Sequence, residues 1–247
     1  MANEQEVSAQ IQFKIDDRRV RLQFMVPAAP IRTQRLLPIL REITNLVVSI
    51  AEERESKAGR TISCAAGCGA CCRQLVPIAP SEAREIAAVV DALPGVRRDE
   101  IRRRFNAASV RLTDLGLIDD LRQLDRVVGE QVAPFGLRYF EAGVACPFLE
   151  DESCSIHADR PLACREYLVT SAAKHCAEPA TERVEGVHLN AKVSRTLRRM
   201  DQDPLADGAP SVPLIMALEW AAHHPDKSPA RPGPELVRDF IEQLTAK

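Results

Sequence analysis

Aromatic residues make up only 4% of this chain of 247 residues, with one Trp and two Tyr. That scarcity argues against a stacking platform for single-stranded nucleic acid. Charge of one sign is also lacking. The formal net charge is −2 and the sequence pI is about 6.2, so no global basic field draws nucleic acid or an anionic membrane. No run approaches the roughly eighteen uncharged apolar residues of a membrane span. The opening MANEQEVSAQIQFKIDD lacks the basic and apolar regions of a secretory leader. From these absences we expect a cytoplasmic chain with neither membrane nor nucleic acid as partner. The apolar fraction of 45% and charged fraction of 28% suit a globular protein able to bury one good core, or a core plus a small satellite.

What the chain does have is cysteine. Eight are present, and four fall within the nine residues CAAGCGACC, at Cys64, Cys68, Cys71 and Cys72. The other four follow a long insert, at Cys146, Cys154, Cys164 and Cys176. In a reducing compartment such residues are thiols rather than disulfides. A lone cysteine is often a small buried hydrophobe, but packing does not explain four in nine residues. Soft thiolates gathered from two loops suit Zn²⁺ or iron–sulfur chemistry. Cys64–Cys68 and Cys68–Cys71 have chelating spacings, whereas adjacent Cys71 and Cys72 fit poorly as two corners of one tetrahedron. Eight thiolates could hold two Zn²⁺, or one four-iron cluster with four cysteines left over. We therefore expect a metal ion as partner and zinc or iron as cofactor, an iron–sulfur cluster being one form of the iron. The expected ligands are Cys64, Cys68, Cys71, Cys72, Cys146, Cys154, Cys164 and Cys176.

Residues near the cysteines are candidates for support. Arg73, Arg160 and Arg165 could offset thiolate charge through N–H···S contacts, with plain surface charge the stronger reading for Arg73. His157 is expected at the surface or behind the ligands. Asp159 is a candidate cap for a short helix carrying Arg160, Cys164 and Tyr167. The arginine-rich RRDEIRRRF at 97–105 spreads its charge around a helix and reads as a solvated face. His223 and His224 read as a helix C-terminal cap. There is no phosphate-cradling glycine loop.

Residues 11–26 alternate apolar and polar and read as a β-hairpin turning at the polar DDRR. Most of the remainder has helical periodicity. Leu36, Leu40, Ile43, Val47 and Ile50 form one stripe, with Pro38 near its start. Ser81 is the expected N-cap of a helix that Pro94-Gly95 stops. Ile101, Phe105, Ala108, Leu112 and Leu115 form the next stripe, and Leu121, Leu124 and Val128 another. Further helices are expected at 134–143, 187–200, 211–223 and 234–245, with 225–234 an extended linker. No strand–helix alternation suggests a doubly wound sheet or barrel. The expected fold is mainly α, a helical domain with irregular cysteine-rich loops and a small N-terminal β-hairpin. It divides into a hairpin extension (1–30), a helical cysteine-cluster domain (31–185) and a C-terminal helical segment packing on it (186–247).

Taken together, CAAGCGACC, CPFL, SCSIH, RPLAC and CREY resemble the zinc- or iron-chelating cysteine-cluster proteins of the YkgJ-like family. The positions that carry the resemblance are Cys64, Cys68, Cys71 and Cys72, then Cys146-Pro147-Phe148-Leu149, Cys154 with Ile156, Arg160-Pro161 and Cys164, with Cys176 fitting a later cysteine of some members. It covers about residues 60–178 and implies metal chelation without a settled substrate. A sequence-related flagellin lysine methylase, whose cysteine motif goes with an iron–sulfur cluster, implies the alternative of an iron–sulfur enzyme, methyltransferase-like or electron-transferring. The spacing from Cys64 to Cys71 is also that of radical S-adenosylmethionine enzymes, but Ala70 replaces their usual aromatic residue and the barrel repeat is missing. Whether the chain catalyses a reaction is left open by the sequence. A third reading, a redox sensor at Cys71 and Cys72, has only their adjacency behind it.

Overall fold

The computed structural model describes residues 5–15, 17–180, 182–201 and 211–246. The alternating N-terminal segment forms strands β1 (Glu6–Ile15) and β2 (Arg18–Pro27), paired antiparallel with Phe13 opposite Val20. The period of two puts Ala9, Phe13, Ile15, Val20, Phe24 and Val26 on one buried face. The hairpin starts earlier than its pattern suggested. Its turn is also tighter than DDRR: Arg18 and Arg19 pair with Ile15 and Lys14, while Asp16 lies outside the described residues.

A two-residue strand β3 (Pro30–Ile31) leads through a 3₁₀ turn into α1 (Leu37–Lys57). Pro38 sits in its first turn, where no N–H is needed. Leu37, Leu40, Ile43, Val47 and Ile50 bury its inner stripe. After the first cysteine segment come β4 (Pro77–Ile78), α2 (Pro80–Ala92), α3 (Gly95–Asp114), α4 (Ile118–Arg122) and α5 (Val132–Glu141). The second cysteine segment contains β5 (Leu149–Glu150), β6 (Ser153–Cys154) and α6 (Leu162–Glu166). The chain ends with α7 (Val193–Met200), β7 (Val212–Pro213), α8 (Ala217–His223), β8 (Arg231–Pro232) and α9 (Gly233–Thr245). The fold is mainly α, with small two-stranded antiparallel pairs: β1–β2, β3–β8, β4–β7 and β5–β6.

Several expectations are corrected. Ser81 does not cap α2. The cap position is Ala79, and Glu82 at the third helical position accepts its N–H at 2.9 Å. The stripe ending at Val128 is interrupted, because α4 stops at Arg122 and only a 3₁₀ turn follows; Val128 is exposed. Leu115 falls just beyond α3 and is exposed. Residues 187–192 are not helical. Val187 N–H instead donates to Leu168 O at 2.8 Å, beside a bridge between Val169 and Gly186. The 211–223 segment opens as β7 and a 3₁₀ turn before α8. Within 225–234, β8 pairs with β3 and α9 has already begun.

Buried side chains gather in three clusters. One joins the hairpin, α1, α7 and α9, with Phe240 and Leu197 among its members. A second joins α2, α3 and α8 around Phe148, and Cys146, Cys154 and Cys164 pack against it. The third joins α4, α5 and the end of α3. The cysteine segments lie between the first and second clusters, supported from both sides.

Candidate metal centre

The first cysteine arm leaves α1 and is tied down at Ser63, whose N–H donates to Val169 O at 2.9 Å. Cys68 N–H closes a turn onto Ala65 O, with Gly67 at φ +83°. That is the left-handed third position of a type II turn, where glycine is favoured. A 3₁₀ turn, Ala70–Arg73, follows and carries Cys71 and Cys72. With about three residues per turn, adjacent side chains leave such a helix in different directions.

The second wall meets this turn directly. Cys146 N–H donates to Cys72 O at 2.8 Å, and Leu149 N–H folds back to Cys146 O at 2.9 Å. β5 and β6 then place Leu149 opposite Cys154 across a two-residue turn. The turn residues Asp151 and Glu152 have φ of 46° and 57°, the paired positive φ of a type I′ hairpin turn. Arg73 clamps Glu152 at 2.6 and 3.0 Å and also donates to Gly69 O. A Cβ on Gly69 would lie 2.6 Å from Glu152 Oε2 and from Leu149 Cδ1. Glycine there lets the two walls touch.

The third piece is α6, carrying Cys164. Its first amide, Leu162 N–H, donates to Glu82 Oε1 at 2.7 Å. Pro161 occupies the cap position and Tyr167 lies past the helix end. Asp159, expected as the cap, pairs with Arg41 at 3.0 Å instead. Cys176 sits buried on the 3₁₀ turn Ala173–Ala177, which packs against Ala70–Arg73. Its sulfur is hydrogen-bonded to Tyr167, whose hydroxyl accepts from Gln74 at 3.1 Å.

The structure therefore brings all eight predicted cysteines into one region, as free thiols. Cys64 is exposed, Cys176 buried, and the others are half-buried. Among the described residues, no group of three or more His, Cys, Asp or Glu side chains stands arranged to hold a metal ion. The chemistry of the set nevertheless fits a soft cation. Cys146 sulfur is bonded by the Phe148 amide and Cys154 sulfur by the Ile156 amide, two residues on in each case. Amide donors of this kind favour the thiolate.

Electrostatics separates the thiols. Cys72 hydrogen-bonds Cys71, which lowers the Cys71 pKa to about 6 and raises that of Cys72. Burial pushes Cys146 up to about 12 and raises Cys164 well above the usual thiol range. Burial also raises Cys64, Cys154 and Cys176. Arg160 opposes the rise at Cys64 and Cys154 and favours ionised Cys71. Its Nε is buried without a hydrogen-bond partner. Arg165 is structural: Nε donates to Arg160 O at 3.1 Å, and other nitrogens to Ala158 O and Asn45.

Away from the thiols, His157 is exposed, and the neighbouring Arg160 charge lowers its pKa. His223 and His224 contact Glu219 O and Trp220 O near the end of α8. Arg97 and Arg104 share Glu100 and Glu150, while Arg102 pairs with Asp91. A cleft of about 580 Å³ between α2, α3 and α8 is lined by Phe105, Asn106 and Leu218 and by no cysteine. Sequence reasoning missed Glu82, Glu152 and Gln74. Only Glu82 carried a local signal, the Pro-Ser-Glu start of α2.

Separated loops on a helical scaffold make up a thiol-rich region of eight free cysteines. Residues 63–183 match the model of the CxxCxxCC family, described as a putative zinc- or iron-chelating domain. The family label has two residues between its first cysteines; this chain has three, the additional length turning at Gly67. No curated protein and no solved structure matches the chain. Among the described residues no helix is long and apolar enough to cross a membrane.

Proposed function

We propose that this is a cytoplasmic metal-binding protein whose eight cysteines take up zinc or iron. The observation that carries the reading is the gathering of thiols from separate chain segments around the Cys71–Cys72 turn. Cys146 is bonded to that turn through the backbone, and the segment of Cys176 packs on it. Bound metal would supply cross-linking between these segments, and an iron–sulfur form would add electron transfer. The chain's own residues prepare for this. Phe148 and Ile156 amides point at sulfurs, Arg160 brings positive charge, and Glu82 fixes the start of α6. Because burial holds most thiols protonated, binding must release protons and weakens as pH falls.

The test is metal and sulfide quantification on anaerobically purified protein, followed by thermal melting before and after a strong chelator. Bound zinc or iron is expected, with a lower melting temperature and faster hydrogen exchange at 60–80 and 144–178 once it is removed. A protein that binds neither metal, or that melts identically without it, would sink the structural role.

A further inference from the structure

We propose that the solvent-facing side of the β1–β2 ribbon is a docking surface for duplex DNA, entering the major groove with Arg19, Arg21, Gln10, Gln12 and Gln23. This surface is separate from the cysteine region and does not depend on metal.

The ribbon has two unlike faces. The inner one is buried with α1 and α9. The outer one carries, in facing pairs, Gln10 and Gln23, Gln12 and Arg21, and Lys14 and Arg19, all exposed. These six positions hold three positive charges and no carboxylate. The acids lie at the ends: Glu6 at one, and at the other Asp17 beside Lys14 and Glu53 beside Arg18, each at 3.1 Å. Arg19 and Arg21 have no ion pair or hydrogen bond among the described residues. The near-neutral charge of the whole chain does not oppose this local field, because exposed charges farther away than about 8–10 Å are screened.

The edges supply a second observation. Ala28 N–H donates to Gln5 O at 2.9 Å, so the ladder alternates from a hydrogen-bonded pair at that point. The amides of residues 8, 10, 12 and 14, and of 19, 21, 23 and 25, then point away from the partner strand. Pro27, which has no N–H, falls in this outward set. Among the described residues no third strand pairs with either edge.

The two observations fit the same groove. Two strands about 4.8 Å apart enter a major groove about 12 Å wide. Outer side chains then reach the base edges, while edge amides meet the phosphates of either wall. Arginine pairs with guanine and glutamine with adenine through two hydrogen bonds each, and those are the residue types the face presents. Positions 10–14 and 19–23 run about 14 Å, or about four base pairs. The major groove of an RNA helix is too narrow for side chains to read, so the fit is to DNA.

The experiment titrates a labelled mixed-sequence DNA duplex with the full chain and follows fluorescence anisotropy at about 50 and about 200 mM salt. Saturable binding is expected at the lower salt, weakening on the order of 40-fold at the higher, the slope for about three cations. Arg19→Gln with Arg21→Gln should weaken binding by roughly tenfold or more and leave the melting temperature unchanged, since both side chains are exposed. The same loss of charge from exposed positions of α3, Arg103→Gln with Arg111→Gln, should leave binding as it was. Gln10→Ala with Gln12→Ala should flatten the base preference found by selection from a random duplex pool. Absence of binding at the lower salt, equal weakening by the two arginine pairs, tighter binding to an RNA duplex, or binding to phosphatidylserine vesicles in place of DNA would each overturn the proposal. Metal content is measured separately, and none of these results alters the metal-binding reading.

Discussion

At the scale of single residues, Gly69 is held by what it lacks. The second wall occupies the space a side chain would need: a Cβ would sit 2.6 Å from Leu149 and 3.1 Å from the Glu152 backbone. Glu152 cannot simply move aside. Its backbone is already left-handed, and both its oxygens are held by Arg73. We expect Gly69→Ala to cost about 1–3 kcal/mol, the usual range for forced overpacking. It should also reduce zinc content, since it pries Cys71 and Cys72 from Cys146. Urea denaturation paired with zinc analysis checks this, and unchanged values for both would refute the tight approach. Arg160 is the complementary case, a residue whose position was suspected from its place beside the cysteines but whose unpaired Nε only the packing reveals.

At the scale of elements, Glu82 joins two helices. One oxygen accepts the Ala79 amide at the start of α2 and the other the Leu162 amide at the start of α6. Burial raises its pKa from 4.5 to about 7, against the pull of those two amides. The folded state therefore holds this proton more tightly than the unfolded chain. The resulting stability is fully present below about 4.5 and is lost as pH rises through about 7. Glu82→Gln should flatten that decline. It should also cost about 1–3 kcal/mol near neutral pH, because an amide donor then faces a buried N–H. Denaturation at several pH values compares the two chains, thiolate ligation being common to both; parallel curves would rule out Glu82 as the source. The Leu162 half of this link could not be read from the sequence, because that partner lies 80 residues away. The stripes of α1 and α3 and the alternation of the hairpin could be read, since each is a local period. Residues 187–192 carried no such guide. Residues 185–187 pair with 168–170, and this non-local pairing at Val187 takes the place of the expected helix start. The cysteines were legible as two thiol-rich segments, but which thiol neighbours which depends on contacts between segments.

At the scale of the whole molecule, the hairpin is bound into the main core. Phe13, Ile15, Val20, Phe24 and Val26 share one cluster with α1 and α9. Full burial of such side chains contributes roughly 1.5–3 kcal/mol each. Deleting residues 5–27 should therefore leave a chain that is insoluble or binds a hydrophobic dye, as measured by soluble yield and dye fluorescence. A cooperative, dye-free fold without the hairpin would show that it is dispensable. The order of the cysteine walls along the chain has a further consequence, one of timing. Cys72 is made well before Cys176, with α2 to α6 in between. At synthesis rates of about 5–20 residues per second, the first four thiols wait on the order of 5–20 s for the last of their partners. Throughout that interval a nascent chain presents an incomplete set of soft ligands, open to stray copper or to oxidation. On the proposed reading, metal shared by the two segments is retained only after α6 has docked, so the ribosome's pace would set the earliest moment of loading.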